Sequence, residues 1–218
     1  MKQARIKNSD EQFPIGKIVC VGRNYAEHAL ELGNEIPPKP VVFIKPSSAV
    51  IYNGEKILYP PFSKEMHHEA ELVLLIGQTI KNANLKTAEE AITAYGVGLD
   101  MTLRDIQGEL KKKGHPWTVA KCFDTSAVIS DFIKKEDMVL TLEEEIYLKV
   151  NGEYKQKDKL NKMIFKPAQI VEYLSSLFTL EPGDLVFTGT PAGVGKVNKG
   201  DIISAGIQGI GYLEVVVD

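Results

Sequence analysis

His67-His68-Glu69-Ala70-Glu71-Leu72-Val73-Leu74-Leu75-Ile76-Gly77 decides how the chain is read. Side chains alternate across a strand, so Glu69 and Glu71 point to one face and Val73 and Leu75 follow them there. Ala70, Leu72, Leu74 and Ile76 occupy the other face. Beyond Glu71 both faces are apolar, which predicts a strand entering the core. Two carboxylates about 7 Å apart on one face, at the rim of a core, repel each other and are poorly solvated. A divalent cation relieves both problems. All-oxygen ligation suits Mg²⁺, Mn²⁺ or Ca²⁺ rather than zinc. The alternative is a solvated strand end. Parity puts His67, not His68, on the glutamate face, with a surface or supporting role expected for both.

A third acid lies downstream. Gly96-Val-Gly-Leu-Asp100-Met-Thr102 reads as a strand running into a helix. Asp100 at that turn is either an N-cap or the partner that completes a three-carboxylate site with Glu69 and Glu71.

Gly22-Arg23-Asn24-Tyr25-Ala26-Glu27-His28-Ala29-Leu30-Glu31 follows an apolar run. On a helix over 24–32 capped by Asn24, His28 and Glu31 share a face. A histidine oriented by a carboxylate is the usual general-base arrangement, and an exposed i,i+3 pair is the plainer reading. Lys121 stands in the apolar segment Trp117-Thr-Val-Ala-Lys-Cys-Phe-Asp124. A partly buried lysine needs an anion, either Asp124 or a substrate oxyanion. Arg104 and Gln107, a turn beyond Asp100, face a ligand or line a surface helix. Cys122 has no base beside it and reads as a buried structural thiol. Thr188-Gly-Thr190-Pro-Ala-Gly-Val-Gly-Lys196 fails the phosphate-loop pattern, because five residues separate Gly189 from Gly195 and Val197 follows the lysine. Its backbone N–H groups remain available to a carboxylate.

Around these segments, strands are predicted at 17–21, 41–44, 56–59, 72–76, 127–129, 145–150, 184–188 and 213–217. Asn151-Gly152 is a two-residue hairpin signal, and Pro182-Gly183 marks a turn. Helices are predicted at 87–95, with Thr87 and Glu90 as a capping box, at 102–113, and at 167–178 behind Pro167. Strands outnumber helices without alternating regularly, which favours a strand-rich α+β fold over a doubly wound parallel sheet.

The composition narrows the classes. The 218 residues are 44% hydrophobic and 25% charged, as in an ordinary globular protein, and match a single domain with a short N-terminal segment, 1–16. A formal net charge of −3 argues against nucleic acid and anionic membranes as partners. Cys20 and Cys122 are too few for a disulfide framework and fit no zinc spacing. No apolar run approaches the roughly 20 residues of a membrane span. The polar N-terminus resembles neither a signal peptide nor a transit peptide. A cytoplasmic protein is expected.

Taken together, Gly22-Arg-Asn-Tyr-Ala-Glu-His28, His68-Glu-Ala-Glu71, Leu99-Asp-Met-Thr102 with Arg104-Asp105, Lys121, and Thr188-Gly-Thr-Pro-Ala-Gly-Val-Gly195 resemble the fumarylacetoacetate hydrolase family. The likeness is to its short single-domain branch, of acylpyruvate hydrolase and oxaloacetate decarboxylase type, and runs from about Lys17 to Val217. It implies a mixed β-roll with flanking helices and a homodimer. It also implies a Mg²⁺ or Mn²⁺ site at Glu69, Glu71 and Asp100, a lid pair at His28 and Glu31, an active-site lysine at Lys121 and a loop threonine at Thr190. The larger members carry an N-terminal domain and a further aspartate ligand with no counterpart here, which argues against fumarylacetoacetate as substrate.

The expected activity is metal-dependent C–C cleavage of a small 2-oxo acid (an acylpyruvate or oxaloacetate) that leaves a pyruvate enolate. Lys121 and the metal stabilise its charge. His28 oriented by Glu31 activates water when the reaction is hydrolysis. Arg23, Arg104, Gln107 and Thr190 are the candidate substrate contacts. The first alternative is an isomerase or tautomerase of a related keto-enol diacid, which needs the same metal and proton transfer. The second is a non-catalytic metal-binding module.

Overall fold

A computed structural model describes residues 1–31, 33 and 35–218. The strand predicted from the quoted stretch spans Ala70–Ile76, and every residue in it is buried. It runs antiparallel to both of its neighbours, Ile92–Asp100 and Leu185–Phe187. The sheet continues outward in the order Ile18–Gly22 and Val41–Lys45 on one side, and Ala127–Ile129 and Val50–Tyr52 on the other. Ile18–Gly22 is parallel to Leu185–Phe187, and Val50–Tyr52 is parallel to Ala127–Ile129. The sheet is therefore mixed.

Side-chain parity gives this sheet two cores. Ala70, Leu72, Leu74 and Ile76 join a large cluster with Ile146, Leu148, Ile203, Ala205, Leu213 and Val215. Those partners come from a second sheet, ordered Glu153–Lys159, Glu145–Val150, Ile202–Ile207, Gly211–Val217 and Lys56–Ile57. Val73 and Leu75 face the other way, into a smaller cluster with Ile18, Cys20 and Phe187. Ala4, Ile6 and Ile15 close that cluster from the N-terminal segment, whose strands Gln3–Arg5 and Gln12–Pro14 pair with each other. A small third sheet is ordered Thr102–Leu103, Met66–His68 and Gly195–Val197. This is the strand-rich mixed β-roll with flanking helices, and no helix among the described residues is long and apolar enough to cross a membrane.

The hairpin at Asn151-Gly152 forms as expected, with both residues at positive φ, 52° and 84°. Several boundaries differ from the sequence prediction. The 87–95 helix is Leu85–Ala91, capped by Asn84 accepting from the Thr87 N–H, so Thr87 is not the cap. Its β-branched tail continues as strand, because Ile92 to Tyr95 pair with Ala70–Ile76. Thr102–Leu103 is strand and the helix starts at Arg104, running to Lys112. Lys56–Ile57 stops short of Tyr59. The helix expected over 24–32 is Ala26–Glu31, and Leu32 lies outside the described residues.

Candidate active site

Three buried carboxylates face one another. Glu69 stands in the break between Met66–His68 and Ala70–Ile76, Glu71 is the second residue of the latter strand, and Asp100 ends Ile92–Asp100. One oxygen of each lies within 4.8 Å of the others. Asp100 caps no helix: its backbone N–H donates to the Glu69 carbonyl at 2.9 Å, which locks two carboxylate-bearing segments together.

Cations hold this cluster unevenly. Lys121 Nζ lies 2.7 Å from Glu69 Oε2 and 2.7 Å from Asp100 Oδ2, and donates to Thr102 Oγ1. Arg104 Nη2 donates to Glu69 Oε1. Lys45, fully buried at the end of Val41–Lys45, places Nζ 2.8 Å from Asp100 Oδ1 and also donates to the carbonyls of Met101 and Lys121. Asp100 Oδ1 nevertheless has no aligned hydrogen-bond donor. Glu71 pairs with no cationic side chain among the described residues and accepts only the Gly189 N–H, at 2.6 Å.

The electrostatics follow from this. Burial alone raises the Glu69 carboxyl, but Lys121 and Arg104 outweigh it and hold the group well below 4.5. Glu71 is pushed well above 4.5 by desolvation, with Asp100 and Glu69 adding repulsion. Burial lowers Lys121 less than Asp100 and Glu69 raise it, so it stays charged. A Glu71 without a cation and an Asp100 oxygen with a charge partner but no aligned donor, in an all-oxygen donor set, fit an added hard divalent cation.

His28 sits opposite, 5% exposed, with Nδ1 3.3 Å from Glu31 Oε2. Desolvation lowers its pKa from 6.5 despite the opposing pull of Glu69 and Glu31. The Glu31 carboxylate also accepts the Gly193 N–H, at 3.2 Å to each oxygen. The glycine-rich loop thus contributes the Gly189 N–H to Glu71 and the Gly193 N–H to Glu31. Asn24 does not cap the helix. Its amide donates to the Phe165 and Thr188 carbonyls and accepts from the Phe165 N–H, fixing the segment that carries Arg23.

All ten sequence-predicted site residues come together. His28, Glu69, Glu71, Asp100, Lys121, Arg23, Arg104, Gln107 and Thr190 line one cleft, and Glu31 reaches it through His28. Lys121 pairs with Glu69 and Asp100 rather than Asp124. Arg104 is already engaged by Glu69, Gln107 and the His67 ring, so it is less free for substrate than its sequence position implies. Cys122 is half-buried rather than buried, its Sγ 3.0 Å from the Ile44 carbonyl.

Sequence reasoning missed Lys45, Lys111 and Gln156. Lys45 closes an apolar strand before Pro46, a place where a lysine is out of character. Gln156 is buried 86 residues from Ala70, accepts its N–H and donates to Thr190 Oγ1, and only the fold reveals it.

Comparison with known proteins shows what the chain is similar to. Residues 17–218 match the family described as fumarylacetoacetate (FAA) hydrolase C-terminal. The mitochondrial oxaloacetate tautomerase FAHD1 of Bos taurus is 44% identical over 193 residues, 88% of this chain and 87% of that one. The mitochondrial oxaloacetate decarboxylase of Dictyostelium discoideum is 47% identical over 195 residues, 89% of each. The crystal structure of fumarylpyruvate hydrolase from Pseudomonas aeruginosa in complex with Mn²⁺ and pyruvate superposes with a TM-score of 0.96 at 40% identity, covering 99% of this chain and 95% of that one. The chain belongs to the fumarylacetoacetate hydrolase family.

Proposed function

We propose that this protein is an enzyme acting on a small 2-oxo acid, with Glu69, Glu71 and Asp100 holding Mg²⁺ or Mn²⁺. The observation that carries this reading is the buried triad itself, with one oxygen of each carboxylate within 4.8 Å of the others. When bound, the cation supplies Lewis acidity that draws charge toward the 2-oxo oxygen. Glu69 and Asp100 already pair with Lys45, Lys121 and Arg104, and with Glu71 ionised to take up the metal the cluster stands at three charges against three. A divalent cation leaves the site with two positive charges in excess. A 2-oxo acid in its enolate form carries two negative charges at that end, one carboxylate and one enolate oxygen.

The chain's own groups divide the remaining work. Lys121, kept charged by Glu69 and Asp100, acts on the developing oxyanion through its charge, its three N–H groups being taken by Glu69, Asp100 and Thr102. His28 bonds Glu31 through Nδ1, which leaves Nε2 to take a proton. In hydrolysis that proton comes from water attacking the distal carbonyl. Thr190 Oγ1 accepts from Gln156 and keeps its own hydroxyl proton for the substrate. Gln107 accepts from Arg104 at 2.7 Å and keeps its amide protons. Residues 1–218 act as one catalytic domain, in a cytoplasmic homodimer.

C–C cleavage of acylpyruvates or oxaloacetate is the first reading. Tautomerisation of oxaloacetate is the second, favoured by the 44% identity to a tautomerase. A steady-state screen of acetylpyruvate, fumarylpyruvate and oxaloacetate with Mg²⁺ or Mn²⁺ tests both, following pyruvate release and enol absorbance together. Metal-dependent turnover of at least one is expected. Turnover of none, or turnover indifferent to chelator, overturns the reading.

A further inference from the structure

Two cations in the cleft have no anion. Lys111 and Arg23 both line it, and neither makes an ion pair among the described residues. Arg23 Nε is buried without a hydrogen-bond partner. Arg23 also adopts φ 59°, a left-handed conformation that costs a non-glycine residue on the order of 1–3 kcal/mol. The three Asn24 bonds hold it there.

The helix Arg104–Lys112 aligns Lys111 with the site. Arg104, Gln107 and Lys111 follow an i, i+3, i+7 spacing and share a face. Arg104 touches Glu69, so the face begins at the carboxylate triad, and Lys111 stands about 10 Å further along the axis. The Lys111 stem crosses Trp117, with Nζ 5.2 Å from the ring centroid. A cation–π contact of that kind is worth about 1 kcal/mol and does not replace a counter-ion. Burial, then Arg104 and Arg23, lower the Lys111 pKa to about 8, which leaves it mostly charged at neutral pH.

We propose that Lys111 and Arg23 bind the distal carboxylate of an oxo-diacid, and that by holding it as an anion they favour keto–enol exchange over loss of CO₂. The proposal rests on the 2-oxo acid reading above and assigns its second charge. In decarboxylation the C3–C4 bond breaks, its electron pair becomes the C2–C3 enolate, and the distal group leaves as uncharged CO₂ before C3 takes a proton. The pair's hold is strongest on the carboxylate and is lost as its charge moves away, so it stabilises the ground state over that transition state. In tautomerisation C3 gives a proton to the base, the 2-oxygen gains one, and the distal carboxylate keeps its charge throughout. The same cations therefore impede one reaction without impeding the other.

Trp117 is the only tryptophan and touches Lys111, so its fluorescence reports this end of the cleft. Titrations of the Mg²⁺-loaded protein with oxaloacetate and with pyruvate, which lacks the distal carboxylate, test binding. Pyruvate release against enol decay tests partition. The wild type is expected to bind oxaloacetate more tightly. Lys111→Met is expected to weaken oxaloacetate about tenfold, leave pyruvate unchanged and raise the decarboxylation-to-tautomerisation ratio at least fivefold. Lys111→Arg is expected to restore both. Equal weakening of the two ligands, or an unchanged ratio with altered turnover, overturns the proposal. A protein that prefers oxaloacetate in binding yet turns over no 2-oxo acid overturns the activity while keeping the carboxylate subsite. Equal binding with intact turnover does the reverse.

Discussion

Lys121 Nζ and Asp100 Oδ2 are 2.7 Å apart, and both side chains are almost wholly buried. With Glu69 on its other side, the ammonium neutralises two of the three acids that a cation would use. Lys121→Met is therefore expected to bind Mn²⁺ more tightly, by about tenfold, since a like charge leaves the site. Turnover should fall by at least about 10²-fold, the usual loss when an oxyanion partner goes. Titration calorimetry beside steady-state kinetics separates the two effects. Weaker Mn²⁺ binding would contradict this account of the lysine.

Gly189→Ala should loosen the same site from a different direction. Gly189 has φ 98°, and a Cβ there would stand 2.7 Å from Asn24 Cβ. The backbone must move, and its N–H is the only donor to Glu71 among the described residues. A cost of about 1–3 kcal/mol is expected in urea denaturation, with reduced Mn²⁺ affinity. Unaltered affinity would mean that Glu71 does not depend on the loop.

Activity should have an acid limb below pH 6.5. His28 is lowered from 6.5 chiefly by desolvation, so the free base persists as pH falls past that value and is lost only further down. Glu31 raises the His28 pKa, so Glu31→Gln should shift the limb to still lower pH while cutting kcat by roughly 10- to 100-fold through lost orientation. A pH profile of kcat for both proteins decides. A limb moving upward in Glu31→Gln would overturn the pairing.

Stability should also fall with acid, through a group the chemistry does not use. Burial lowers His68 to about 4, and Nδ1 is 3.3 Å from Gln156 Oε1. The unfolded state takes the proton near 6.5 and the folded state only near 4, so stability is full above 6.5 and declines between the two. The loss between pH 7 and pH 5 is about 2 kcal/mol from this histidine. Chemical denaturation at both pH values should show it, and His68→Asn should flatten the slope. An equal slope in the variant assigns the effect to other groups.

The residues legible in the sequence were those governed by local rules. Strand parity put Glu69 and Glu71 together and both faces beyond them in a core, and the structure bears this out. Helical spacing paired His28 with Glu31. What escaped depends on distant segments. Lys45 finds Asp100 across 55 residues, and from a strand separated by three others in the same sheet. Lys111 belongs to a lysine run that reads as an ordinary helix C-terminus, and only the cleft distinguishes it from Lys112 and Lys113. The Thr87 cap failed because Asn84, three residues earlier, offers the same acceptor and the tail that follows is claimed by the sheet. Asn24 was misread for a related reason. Its amide is consumed by Phe165 and Thr188, partners that no local window contains.

One carboxylate, that of Glu31, answers to both the His28 ring and the Gly193 amide. On the proposed reading, proton abstraction by His28 is thereby conditional on enclosure. Were the Ala26–Glu31 helix to part from the glycine loop, the imidazole would lose its fixed neighbour in the same movement that admits bulk water. On the proposed reading an open cleft is then chemically idle, and short-lived enols would arise only where they are shielded from stray protonation.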